Sequence, residues 1–542
     1  MIRKMYLMLT AVVVATVVMF TSCWGSSDYL NALPGNSVVV AKVNVGNLLT
    51  ESEILTDPQV TGFLKQKINL LSGDTRVLMR ELLEDPSASG ADLSEPVYMA
   101  IENVEQMRGL VIVPVSDAEK LKNLVSTLLS DRDLRIGLTL AKQGGVNTIE
   151  DESGNAVVAF DDDKLVMAFA NGVADAMEYM NLSDAAQKKT DPLSDFISKK
   201  ADAAFYVDYG QIVTLMERAS SEFAGIDFNS LKEVKLITSL NFEKGKAMMV
   251  TEFTGSDDWE KLYNDMYTNP QNDLVGYLPH DTWAVAQLGV KNLAMVKEFI
   301  KGELEELMNK GFEELNSHLA EAGINTKWSL DLLSSLKGDV IFGVTPVVKD
   351  GYKEQPQMVI VAECENKNLF DAIVPLIKEE FKRAEKIGDN LYALGVNMEI
   401  DWENYDWHGD YTYVRKGNDY YFGFADGKMF VMPENLYKQC APGNNLKGFE
   451  KSLKENSTLY SMIKSTNSMA LDCTALATEI SKIENEKAPI IANIVKKIEG
   501  LATKMNSPSE VEVVMTMADK DTEMLKQLKD LCVRFAIGEA VR

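Results

Sequence analysis

The chain has 542 residues, 46% hydrophobic and 25% charged, an ordinary globular composition that argues against extensive disorder. Its length exceeds what one core usually organises and calls for two or more domains. With 81 acidic against 55 basic side chains the formal charge is −26, a surface that repels a phosphate backbone, so no nucleic acid is expected as a partner.

The first residues read as a targeting segment. Arg3 and Lys4 precede an uncharged run, Met5 to Phe20, whose 16 residues fall short of the roughly 20 that a membrane-spanning helix needs. The run ends Phe20-Thr21-Ser22-Cys23, which resembles a lipobox: small residues admit the signal peptidase, and the thiol of Cys23 takes a diacylglyceryl group. Residues 1–22 are then a removed signal peptide and 23–28 a lipid-anchored linker. Acyl chains contribute about 0.8 kcal/mol per buried methylene, and two of them hold a protein stably on a bilayer. The membrane is therefore an expected partner through the anchor, and the cell envelope the expected location. Trp24, where Asp would signal otherwise, favours the outer membrane. The remaining cysteines, Cys364, Cys440, Cys473 and Cys532, all lie in the second half and form no C-x-x-C pair, so free thiols are expected rather than a disulfide framework.

Two copies of one unit follow. Leu33-Pro34-Gly35-Asn36-Ser37-Val38-Val39-Val40-Ala41 returns as Leu278-Pro279-His280-Asp281-Thr282-Trp283-Ala284-Val285-Ala286, offset by 245. Leu33, Pro34, Val40, Ala41, Val45, Asn47 and Leu48 are identical across it. Each stretch reads as a turn, a buried strand, and a helix starting at Asn47 or Asn292. Val111-Ile112-Val113 then pairs with Val359-Ile360-Val361. The hairpin 160–165 pairs with 424–429, Val207-Asp208-Tyr209 with Leu471-Asp472-Cys473, and Met249-Val250 with Val513-Val514. The copies span 29–272 and 273–542. A helix over 293–322 carries Leu293, Val296, Ile300, Leu304 and Leu307 at helical spacing. Ser116 and Asp257 each stand three residues before a Glu, as a helix-starting capping box does. The fold class is α+β: two tandem copies, mainly antiparallel sheet with flanking helices, divisible into four βαββα modules.

The lipobox, a short polar spacer, Tyr29-Leu30-Asn31-Ala32-Leu33-Pro34 and the Val-rich strand after it resemble a family of Bacteroidota (Bacteroides-type) lipoproteins with a domain of unknown function. The resemblance spans the mature chain and implies a cell-envelope lipoprotein. It carries over no catalytic residue.

Chemistry is sparse. Phosphate-binding and dinucleotide-binding glycine motifs are absent, and so is a nucleophile elbow. The three histidines, His280, His318 and His408, have no ligand spacing, so neither a metal nor a cofactor is expected. Asp161-Asp162-Asp163 reads as a bent turn, and Asp208 and Asp472 as helix caps. One segment breaks the duplication, an insertion near 400–411 dense in aromatic and acidic residues. Packing across a longer hairpin accounts for its rings. If it binds a glycan or an envelope protein, Trp402, Tyr405 and Trp407 would stack on the ligand while Asp401 and Glu403 accept hydrogen bonds. The favoured reading is a non-enzymatic binding or scaffolding module. The alternative is a glycan-acting hydrolase using the carboxylates of that insertion.

Overall fold

A computed structural model describes residues 27–71, 73–131, 137–210, 212–214, 232–255, 257–296, 303–321, 327–350, 353–380, 384–394, 398–400, 413–415, 420–483 and 485–540. Besides short turns, the first copy runs β1 (Val39–Val43), α1 (Val45–Ser52), α2 (Pro58–Ile68), α3 (Gly73–Glu84), β2 (Val97–Asn103), β3 (Arg108–Pro114) and α4 (Ala118–Ser130). It continues with β4 (Thr139–Gln143), β5 (Val146–Glu150), β6 (Ala156–Phe160), β7 (Lys164–Phe169) and α5 (Asp191–Ser198). It closes on β8 (Ala203–Asp208), β9 (Lys235–Glu243), β10 (Lys246–Thr254), α6 (Asp257–Met266) and β11 (Tyr267–Thr268).

The second copy repeats the plan with β12 (Ala284–Val290), α7 (Glu303–Glu321), β13 (Leu336–Asp350), β14 (Lys353–Cys364) and α8 (Asn368–Glu380). Then come β15 (Glu385–Gly388), β16 (Leu391–Leu394), β17 (Met398–Ile400), β18 (Tyr413–Arg415), β19 (Tyr420–Ala425), β20 (Lys428–Pro433) and α9 (Ser457–Ile463). The last module is β21 (Asn467–Asp472), α10 (Cys473–Ser481), α11 (Ala488–Val495), β22 (Ile498–Ser507), β23 (Glu510–Met517) and α12 (Met524–Ala540).

Hydrogen bonding makes the duplication explicit. In the first copy the strands lie in the order β10-β9-β8-β1-β2-β3-β7-β6-β5-β4, every pair antiparallel. In the second the order is β23-β22-β21-β12-β13-β14-β20-β19-β16-β15, again all antiparallel. Each copy thus sets two βαββα modules side by side through their first strands, β1 on β8 and β12 on β21, and adds hairpins beyond β3 or β14. The chain is α+β with four such modules.

Strand alternation places the core. On β1 and β2, Val40, Tyr98 and Ala100 turn towards Leu193 and Phe196 of α5 and the turn around Tyr29. In the second copy Val285, Ile341 and Val359 do the same against Leu459 and Ile463 of α9. A second core in the first copy packs Val97, Val113 and Leu165 under Leu121, Leu124 and Val125 of α4, on the opposite side of the sheet.

The pairings also correct two alignments. Met99 pairs with Val111, and its structural equivalent Phe342 pairs with Ile360, so Val111 corresponds to Ile360 rather than to Val359. The one-residue shift matters because it exchanges faces: Leu110 and Ile112 are buried, and so are Val359 and Val361. On the last hairpin Met249 faces Leu240 and Val511 faces Met505, which makes Val511, not Val513, the counterpart of Met249. Helix starts move slightly too. Asn44 rather than Asn47 caps α1, accepting from the Asn47 amide, and Asp117 rather than Ser116 caps α4 through the Lys120 amide. Residues 293–295 form a short 3-10 turn and α7 is described over Glu303–Glu321, while 297–302 of the expected helix lie outside the described residues.

By compactness the chain divides into a first unit of 1–219, 231–255 and 519–542 and a second of 220–230 and 256–518. These units are cut differently from the sequence copies. The helix after the first copy's last hairpin, α6, belongs to unit 2, where it packs by the turn Leu293–Met295 and the Tyr263 hydroxyl accepts from Asn467 at 2.6 Å. The equivalent helix of the second copy, α12, belongs to unit 1. It packs there on α1, with Lys526 2.7 Å from Glu53 and Lys529 2.7 Å from Asp57. Each unit is therefore completed by the other copy's final helix, on the same site, its first helical turn.

Candidate functional site

Cys23 and the insertion residues Asp401, Trp402, Glu403, Tyr405 and Trp407 lie outside the described residues, as does His408. What is described is the base of that insertion, a two-stranded hairpin in which Ile400 of β17 pairs with Tyr413 of β18.

The other polar candidates have local structural duties. Asp161 accepts from the amides of Asp163 and Lys164 at 3.0 and 2.9 Å, closing its turn. In the matching hairpin Asp426 and Gly427 both take positive φ, 50° and 71°, as a type I′ turn requires. Asp208 accepts from the Gly210 amide at 2.9 Å and the Lys235 ammonium at 2.7 Å, and Asp472 from the Ala475 amide at 2.9 Å. His280 sits in an exposed turn, and His318 is exposed on α7, 3.9 Å from Glu321. Among the described residues no group of three or more His, Cys, Asp or Glu could hold a metal ion. No described helix is long and apolar enough to cross a membrane.

One buried polar position was not foreseen. Lys42, 4% exposed on β1, donates from Nζ to the carbonyls of Ile197 (2.9 Å) and Lys199, at the C-terminal end of α5. Desolvation by burial lowers its pKa from the ordinary 10.5. The equivalent residue on β12 is Gln287, 5% exposed. Its amide donates to the carbonyls of Ile463 and Thr466 at the end of α9, and to Asn272 Oδ1 at 3.2 Å. The last carbonyls of a helix lack intrahelical partners, and both side chains satisfy them from the sheet. Both are helix plugs, not catalysts. Alternation alone would have predicted apolar residues there.

The feature the two copies share on their surface is an open sheet face. Strand alternation turns one face of β1, β2 and β8 inward; on the other, Val111, packed against the α4 core, is followed beyond it by Met99, Ala41, Phe205, Thr238 and Thr251 in one cross-strand row. The equivalent row in unit 2 is Ile360, Phe342, Ala286, Met469, Thr503 and Val513. Phe205 is 49% exposed and its counterpart Met469 64%; Met99, Met249, Met358 and Ile360 are exposed as well. Large apolar side chains thus stand in solvent on the same face of both sheets, with Phe205 and Met469 at one identical register. Methionine is prominent among them, an unbranched, polarizable side chain that adapts to varied partners.

The comparisons are few. A family model described as "Domain of unknown function (DUF4836)" matches residues 29–525. No curated protein matches. Two solved structures resemble part of the chain, crystal forms IV and III of TP0453. They share 12% and 10% identity, cover 44% and 45% of this chain and 86% and 89% of theirs, and both have a TM-score of 0.27.

Proposed function

The chain belongs to the DUF4836 family, and we propose that it is a lipid-anchored protein of the cell envelope that acts as a non-enzymatic binding or scaffolding module. The observation that carries this reading is the pair of open apolar faces centred on Phe205 and Met469. A contiguous apolar surface costs solubility, and on a soluble domain it marks a place where another surface docks. Asp161, Asp208, Asp472, Lys42 and Gln287 are committed to turns, caps and helix ends. Anchoring through Cys23, with residues 1–22 removed, would set the two units beside a bilayer, on the outer membrane by the identity of Trp24. The occupant of the faces would then be an envelope protein of the same compartment, and the insertion carrying Trp402, Tyr405 and Trp407 is the natural place for a glycan or peptide to add to it.

A photo-reactive residue placed at Phe205 or Met469 in cells should capture one discrete envelope protein, and Phe205→Ser with Met469→Ser should weaken that partner's retention. Absence of any adduct at both positions would remove the docking role. The anchor is tested separately: a palmitate analogue should label the wild type, and a Cys23→Ala chain that still takes label ends the lipobox reading. Trp402→Ala with Trp407→Ala should abolish glycan binding at an almost unchanged melting temperature. A collapse of stability would instead make those rings structural.

A further inference from the structure

The pair α10–α11 crosses from β21 to β22, and its second helix is built the wrong way round for a buried element. Helix α11, with the sequence Ala488-Pro489-Ile490-Ile491-Ala492-Asn493-Ile494-Val495, buries Ala488 and Ala492, one turn apart, against its neighbour. It leaves Ile490 and Ile491 in solvent, 44% and 47% exposed, and Ile483 at the tip of the pair is 59% exposed. A helix that only needed to pack would turn its isoleucines inward and its alanines outward.

The charges around these side chains are equally out of character. Residues 487–497 contain Lys487, Lys496 and Lys497 and not one carboxylate, in a chain where acids outnumber bases 81 to 55. Lys487 stands at the N-terminal end of α11 with no capping side chain, where the helix dipole disfavours a cation. Folding alone rewards neither arrangement. The acids on the pair are Glu479, which is 2.6 Å from Lys482, and Glu484 and Glu486 between α10 and α11 in the sequence, with Glu499 beyond on β22.

We propose that helix α11 is a second membrane contact: Ile490 and Ile491 enter the headgroup–acyl boundary of a bilayer, and Lys487, Lys496 and Lys497 meet anionic lipid headgroups. The occupant is an anionic lipid surface because it alone offers both an apolar layer and a dense negative charge to one small patch. The protein's overall negative charge does not prevent this. At physiological ionic strength charges are screened beyond about 8 Å, so the lysines beside the headgroups outweigh distant carboxylates. The proposal is independent of the anchor at Cys23.

The test uses the chain from residue 24 onward, which keeps every described residue and lacks the acyl group. It is sedimented with vesicles of phosphatidylcholine alone and of phosphatidylcholine mixed with phosphatidylglycerol. Binding is expected to the mixed vesicles only, and to fall with added salt. Lys496→Gln with Lys497→Gln should reduce it on the order of tenfold or more, and Ile490→Ser with Ile491→Ser on the order of tenfold. These side chains are exposed, so the melting temperature should hold. Should it drop, Ile490→Trp keeps the apolar surface and reports entry by a blue shift of its emission on vesicle addition. No binding to mixed vesicles, equal binding to neutral ones, or binding that survives both pairs of substitutions overturns the proposal. So does self-association lost in Ile490→Ser with Ile491→Ser without vesicle binding, which would make the occupant a second copy of the chain.

Discussion

Lys42 and Gln287 stand at one position of a duplicated fold and solve one problem with different chemistry. In both copies a helix ends against the sheet with its last carbonyls pointing into a dry space, and the strand beneath must supply a donor. The first copy uses an ammonium, whose positive charge suits a helix C-terminus but is costly to bury; burial lowers its pKa. The second uses a neutral amide with three acceptors around it, at no charge penalty. The duplication therefore conserves the need for a donor at that site, not the residue. The surfaces show the same separation: the apolar row across the open face recurs in both copies, whereas a cluster of lysines around exposed isoleucines is described only on the α10–α11 pair.

The exchange of final helices offers the strongest way to break that symmetry. Ending the chain at Ala518 removes α12, a piece of the second copy's sequence, yet the loss should fall on unit 1. Amides of α1 and β9, against which α12 packs, should lose protection from hydrogen exchange, while β21 to β23 keep theirs. Loss confined to unit 2 would refute the assignment of α12. A smaller effect is expected at the helix plugs. Lys42→Leu strands the carbonyls of Ile197 and Lys199, and Gln287→Leu those of Ile463 and Thr466. At about 1–3 kcal/mol for each unsatisfied buried group, either change should cost its own unit about 2–6 kcal/mol in chemical denaturation. Lys42→Gln, which imports the other copy's solution, should cost clearly less than Lys42→Leu. Equal losses would mean that charge, not hydrogen bonding, sustains the site.

Acid should sharpen the same contrast. The Lys529 ammonium, followed by the amides of Val60 and Gln59, holds the Asp57 carboxyl below the usual carboxylate range. A depressed folded pKa gives stability that is present above the unfolded value and lost as pH falls through the folded one. The α12–α1 contact in unit 1 should loosen first on acidification, seen as early exchange of the α12 amides, and Asp57→Asn should abolish that pH dependence.

How much of this could be read from the residues alone follows from what each signal encodes. The α+β class, the duplication and the four βαββα modules were legible because turn chemistry and β-branched runs recur in order, from Leu33-Pro34 and Leu278-Pro279 onward. The register of β14 was not: Val359-Ile360-Val361 is apolar throughout, so nothing in it marks which residues face the core, and only pairing with Phe342 decides. The exchange of α6 and α12 was invisible because a helix following a hairpin carries no mark of which sheet it will cover. The plug at Lys42 interrupts an apolar strand, but nothing near it in the sequence marks its role, since its partners, Ile197 and Lys199, lie some 155 residues away. The exposed isoleucines of α11 were hidden for the opposite reason: an apolar helix reads as core until its exposure is known.

The thiols give the mildest test and divide the units cleanly. Cys532 on α12, in unit 1, is exposed, whereas Cys440 and Cys473 in unit 2 are buried, and none of the four described thiols is in a disulfide. Burial pushes Cys440 up to about 12 and Cys473 to about 11 from an ordinary 9.0, because a thiolate in an apolar pocket loses its hydration. The thiolate is the reactive form, so for Cys473 at neutral pH its lower population alone slows alkylation on the order of a hundredfold, before access is counted. Native protein should therefore label rapidly at Cys532 and slowly at Cys440 and Cys473, with all of them reacting in denaturant. The sign with pH also follows. A raised folded pKa gives stability that is full below the unfolded value of 9.0 and declines as pH rises towards 11 and 12. Labelling of Cys440 and Cys473 should accelerate above pH 9 more steeply than thiol ionisation explains, because unit 2 itself opens more often there. If Cys440 labels as fast as Cys532 in native protein at neutral pH, the helix that carries it, Glu434–Cys440, is not packed into the core around Leu436 and Tyr437, and the second copy's hydrophobic centre has been misplaced.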